Sequence, residues 1–162
     1  MFNPEKHPYF EKYVDPQTNV VSYILKERIS EVQMNLYFTE QGVTDDGKYL
    51  WFRCIYPPAV YTHLAVISLD CDNPFIRSFP HVQMQETQPC VIPGTHDLLT
   101  AINNRVYRVD IEGNMTKVIE VGEDIIRNRR ITQLSTHLSV NSDGELILLD
   151  MSVGNKTCFT PP

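Results

Sequence analysis

The sequence predicts an all-β protein, a partial β-propeller of four-stranded antiparallel blades. Three observations carry this. A tight turn followed by an apolar stretch recurs: "VTDDGKYLWFRC" at 43–54 returns as "VNSDGELILLDM" at 140–151, with a degenerate copy, "VIPGTHDLLTAI", at 91–102. The turn positions Asp46, His96 and Asp143 lie 50 and 47 residues apart, a period typical of blade repeats. Short strand-like runs fill the intervals, whereas helical periodicity is weak and best in the short "GEDIIRNRRI".

The elements follow in order. "DPQTN" at 15–19 is a turn, and 19–27 ("NVVSYILKE") is a lone strand with nothing before it to pair with, suited to closing the last blade of a ring. Blade one spans 37–79, with strands at 37–44, 48–55, 62–69 and 75–79. Blade two spans 86–121, with strands at 86–92, 97–102, 105–111 and 116–121, the last two joined through Gly113-Asn114. Blade three, 134–162, is incomplete, with strands at 134–140 and 145–151. The sum is about two and a half blades plus the closing strand. A propeller closes with about four blades or more, so the chain is expected to be one N-terminal propeller segment that needs the remaining blades as partners. A small β-sandwich that happens to repeat is the competing architecture.

Composition narrows the function. A 162-residue chain that is 42% hydrophobic and 21% charged supports a packed core. Its net charge of −6 argues against nucleic acid as a partner. Cys54, Cys71, Cys90 and Cys158 show no paired spacing and read as reduced thiols. The N-terminal "MFNPEKHPYFEKYVD" lacks the apolar region of a leader, and no apolar run is long enough for a membrane span. The expected location is the cytoplasm.

The succession "DPQTN", "YFTEQGVTDDGKYLWF", the strand ending Ser68-Leu69-Asp70, and "NRVYRVDIEG" resembles the N-terminal half of the oligogalacturonate lyases, a family of propeller enzymes. The repeats "DGKYLWF" and "DGELILL" resemble Asp-Gly-Lys propellers more broadly. The likeness departs at "THD" and in "STHLSVNSDG". It implies pectin catabolism: metal-assisted β-elimination on short galacturonate oligomers. A manganese-type divalent metal, its ligands and the catalytic base are implied to belong to later blades, so no metal ligand or catalytic residue falls on this chain. This segment alone is expected to be inactive. The alternatives are a non-catalytic propeller binding module and the propeller cap of a serine peptidase, whose Gly-x-Ser-x-Gly elbow is not in this sequence.

Candidate substrate-binding residues are Arg127, Arg129 and Arg130, a dense basic group in an acidic chain and suited to a carboxylate, and His137 in an inner strand close to the channel. Glu40 and Gln41 are expected to line that channel. His63 and His81 read as surface residues, His96 as a turn residue, and Trp51 as blade core. The Asp-Gly pairs lack the remaining ligands of a calcium loop and read as turns.

Overall fold

Apolar residues stand on both faces of the central strands, and this dictates how the sheets stack. In the computed structural model, residues 2–84, 87–127, 129–134 and 137–156 are described. They form only antiparallel sheets and one short helix, and no sheet closes on itself. Strands β1 (Phe10–Val14) and β2 (Val21–Leu25) make a hairpin. The first four-stranded sheet runs β3 (Val32–Met34), β4 (Tyr49–Ile55), β5 (Thr62–Ser68) and β6 (Ile76–Met84), each pairing with the next. The second repeats this meander with β7 (Cys90–Val91), β8 (Leu98–Ile102), β9 (Arg105–Val109) and β10 (Met115–Glu120). Helix α1 (Glu123–Ile126) leads into a long interrupted hairpin. There β11 (Arg129–Leu134) pairs with β14 (Met151–Lys156), and β12 (Ser139–Val140) pairs with β13 (Ile147–Leu148).

Side-chain alternation along single strands glues neighbouring sheets together. Leu64 and Val66 of β5 share a core with Leu98 and Val109 of the second sheet. The intervening Ala65 and Ile67 face the β1–β2 side, packing with Phe10 and Leu25. Leu99 and Ala101 of β8, with Val106 of β9, turn the other way onto Leu134 and Leu138. The order is therefore β1–β2 hairpin, first sheet, second sheet, interrupted hairpin. Antiparallel sheets often leave one face to water. Here both faces of the central strands β4, β5 and β8 are covered, which explains why β5 reads as an apolar run. Trp51 is fully buried in the first of these cores, as expected, and its Nε1 donates to the His96 carbonyl at 2.9 Å.

The turns lock the first two sheets together. Asp45 Oδ2 accepts from Gly94 N–H at 2.7 Å, and Asp46 Oδ2 lies 2.9 Å from His96 Nε2. Further along, His81 Nε2 lies 2.8 Å from the Gly113 carbonyl and Arg77 Nη1 donates to that of Ile111 at 3.2 Å.

Several expectations are corrected. The strand at 19–27 is not alone: β2 pairs along its whole length with β1. The turn between them forms as read, with Asp15 Oδ1 accepting from Gln17 and Thr18 N–H. The first strand of the first sheet is 32–34 and not 37–44. The chain leaves the ladder after Met34 and returns at Gly42, whose carbonyl accepts from Trp51 N–H at 2.8 Å. At this neck a Cβ on Gly42 would lie 2.9 Å from the Trp51 carbonyl oxygen, a contact only glycine permits. Residues 35–42 thus form an excursion, anchored by buried Leu36. Strand 86–92 shortens to Cys90–Val91, because Pro89 has no N–H to give the ladder. His63 is buried at 5% exposure, stacked on Tyr56, and is not a surface residue.

Candidate functional site

The first strand of each repeat enters its turn through the same bond. Thr44 N–H donates to the Tyr49 carbonyl (3.0 Å), Ile92 N–H to that of Asp97 (2.9 Å) and Asn141 N–H to that of Leu146 (3.1 Å). Thr44, Ile92 and Asn141 are therefore equivalent, 48 and 49 residues apart. The residue matching Asp46 and Asp143 in the second repeat is Gly94, at φ 70°, and not His96. His96 follows the turn and pairs with Asp46 instead.

Counting back four residues from each equivalent position gives Glu40, Gln88 and His137. The structure gathers these three at the edge formed by the first strands. Gln88 and His137 form a parallel backbone bridge between the second sheet and the interrupted hairpin. The excursion 35–42 carries Glu40 to the same place. Burial raises the Glu40 carboxyl above its ordinary value, and the charge of His137 pulls it partly back. The Tyr37 ring meets the His137 ring edge-on at 5.3 Å and the Phe38 ring at 4.4 Å. Phe38 is 85% exposed and Tyr37 37%, an aromatic surface beside the three polar groups. Gln88 Oε1 is buried without a hydrogen-bond partner. His137 N–H donates to Asp150 Oδ1 at 3.4 Å.

Cys90 lies beneath this edge. Burial and then the charge of Glu40 push its thiol up to about 12, so it stays protonated and is not a nucleophile. The arrangement offers a carboxyl with raised proton affinity, an amide oxygen, an imidazole and exposed rings. That set suits a polyhydroxylated ligand, whose hydroxyls take the polar groups while its C–H face stacks on an aromatic ring.

The sequence-predicted site divides. His137 is exposed on the first-strand edge. Arg127 caps α1 at φ 53° and is exposed, and Arg129 opens β11, also exposed. The side chain of Arg130 lies outside the described residues. From Arg129 to the far end of β11 at Leu134 is five steps of about 3.3 Å, roughly 17 Å. Arg127 and Arg129 stand at the opening of β11, and His137 follows its end in the sequence. Glu40 comes near enough to His137 to feel its charge.

Sequence reasoning missed Gln88. The signal was present: "TEQGVT", "TQPCVI" and "THLSVN" share Thr-x-x-x-Val at 39–43, 87–91 and 136–140. His7 was also missed. It is buried, with Nε2 2.9 Å from the Ser68 carbonyl and its ring against Phe2 and Phe10, a packing role that fixes the N-terminus on the first sheet. Cys54, Cys71 and Cys90 are free thiols. Among the described residues no helix is long and apolar enough to cross a membrane. Compared with known protein families, curated proteins and solved structures, the chain matches none.

Proposed function

We propose that the chain is a section of a β-propeller that binds an acidic oligosaccharide at the first-strand edge, on Glu40, Gln88, His137 and the Tyr37–Phe38 rings. The observation that carries the reading is the convergence of three non-identical polar residues from equivalent positions in three repeats. Two features support the propeller. The four-stranded meanders stack face to face, as blades do, and first strands of adjacent sheets touch at Gln88 and His137.

The resemblance to the oligogalacturonate lyases supplies the ligand class. β-Elimination requires a base within reach of a proton α to a carboxylate. A half-buried carboxyl with raised proton affinity, next to an imidazole, has that character. The complete enzyme of that family uses a manganese-type ion to neutralise the substrate carboxylate. Among the described residues no three His, Cys, Asp or Glu side chains are gathered as a ligand set.

Calorimetric titration with trigalacturonate and with a neutral galactose trimer tests the reading. The acidic trimer is expected to bind, with Glu40→Gln and His137→Ala each weakening it tenfold or more while the unfolding midpoint holds. Equal binding of both trimers, or indifference to both substitutions, overturns it.

A further inference from the structure

A second concavity lies on the opposite side of the first sheet, between it and the β1–β2 hairpin. Its volume is about 340 Å³, and Ile24, Leu25, Met34, Leu50 and Phe52 supply apolar wall. This is within the size range of small-molecule sites. Three polar residues stand on its lining, Arg28, Gln33 and Asn35, and they differ in what they have left to give: Asn35 is neutral, and its Oδ1 accepts from Leu36 N–H at 2.9 Å. Gln33 is committed to the main chain: its Oε1 accepts from Ile29 N–H at 2.8 Å and its Nε2 donates to the Glu27 carbonyl at 3.3 Å. It shapes the wall and offers no free group. Arg28 spends one Nη1 N–H on the Glu31 carbonyl at 3.2 Å. Although Glu27 and Glu31 flank it in sequence, no carboxylate lies within ion-pair distance of it among the described residues.

An uncompensated guanidinium beside an apolar hollow selects by both shape and charge. We propose that this pocket binds a compact monocarboxylate with an apolar body, the body against Leu25, Leu50 and Phe52 and the carboxylate on Arg28. The guanidinium fork suits a carboxylate in a way no neutral or cationic head group matches. The walls come from both sides of the hairpin–sheet junction, so a bound ligand holds β2 to the first sheet. This site is separate from the Glu40–His137 edge and stands or falls independently of it.

The test uses one body with three head groups: 3-phenylpropionate, 3-phenylpropionamide and 3-phenylpropylamine, followed by amide shifts of residues 24–35 and 50–52 in NMR titrations. The carboxylate is expected to bind at submillimolar concentration, at least tenfold tighter than the amide, and the amine not at all. Arg28→Gln is expected to erase the preference for the carboxylate. Ile24→Glu, at a wall residue 44% exposed and so tolerant of change, is expected to weaken the carboxylate tenfold or more without shifting the thermal midpoint. Hydrogen exchange in β2 should slow when the ligand is bound. Equal affinity for all three head groups, shifts outside the pocket only, or unchanged binding in Arg28→Gln overturns the proposal. So does a concentration-dependent dimer by sedimentation that 3-phenylpropionate does not displace, since the pocket is then filled by a second copy.

Discussion

Gly113→Ala measures how tightly the first and second sheets interlock. Gly113 sits in the β9–β10 turn at φ 87°, where its missing side chain makes room for Phe79 of β6. A Cβ there would stand 2.6 Å from Phe79 Cε1 and 3.0 Å from Cγ. The ring has little freedom to yield, since it is buried in the inter-sheet core with its centroid 6.0 Å from that of Trp51. Two terms add. A non-glycine residue in the left-handed region costs about 1–2 kcal/mol, and overpacking a filled core costs about 1–3 kcal/mol. The expected loss is therefore about 2–5 kcal/mol. Gly47 and Gly94 provide internal controls: each has φ 70° and open space where a Cβ would go, so alanine there should cost only the backbone term. Urea unfolding of the three single variants separates the contributions. Adding Phe79→Leu to Gly113→Ala should recover part of the loss as a coupling energy of about 0.5 kcal/mol or more. If Gly113→Ala is no worse than Gly47→Ala, or Phe79→Leu gives no recovery, the docking of β6 on the β9–β10 turn is refuted.

Thiol labelling at pH 8 should modify Cys71, which is partly exposed, well before buried Cys54 and Cys90, whose thiols burial raises; fast modification of Cys90 in the folded protein would contradict the packing beneath Glu40. The turn contact between the sheets should be acid-sensitive. Burial pushes the Asp46 carboxyl up, but hydrogen bonds from His96, Thr44 and Lys48 outweigh it and leave it below its ordinary value, so its contribution is present above pH about 4 and lost as pH falls through the depressed value. Asp46→Asn should cost about 1 kcal/mol at pH 7 after allowance for solvent screening, and the gap to wild type should close in unfolding curves recorded toward pH 2. A gap that stays constant across that range would remove the carboxylate from the account.

The strands that were legible in the sequence are those whose faces are both buried. Residues 48–55, 62–69, 97–102 and 105–111 each match an observed strand closely, because apolar content there serves two cores at once. The first strands were not legible, for opposite reasons. Tyr37, Phe38 and Thr39 have strong strand propensity, yet the neck at Gly42 diverts them out of the ladder. Val32 to Met34 form the true strand: residues 31–36 (EVQMNL) do alternate polar and apolar, but the run is short and lies just before the stronger strand formers Tyr37 and Phe38. The hairpin partner β1 was hidden because its side chains beyond Phe10 are exposed and, Val14 apart, polar or aromatic, which reads as a loop. In the second repeat the turn lies at Pro93-Gly94, two residues before the chemically louder His96. Aligned on His96, the repeats do not show the shared offset of Glu40, Gln88 and His137.

With the alignment corrected, constancy and variation along the repeat take separate jobs. The turn bonds at Thr44, Ile92 and Asn141 and the valines at 43, 91 and 140 recur, since they fix backbone path and inter-sheet packing. The residue between the recurring threonine and that valine's strand changes each time, from carboxylate to amide to imidazole. A purely structural repeat would gain from the same satisfied residue at all three places, because an unpaired buried amide oxygen such as Gln88 Oε1 costs about 1–3 kcal/mol, and a carboxyl with raised proton affinity opposes folding once ionised. Both costs fall at one edge, beside exposed aromatic rings and away from the cores that hold the sheets together. Destabilising polar groups concentrated where they contribute nothing to packing are the physical signature of a site kept for a ligand. The proposed binding therefore falls on this edge, while Arg127 and Arg129 stand exposed at the start of β11.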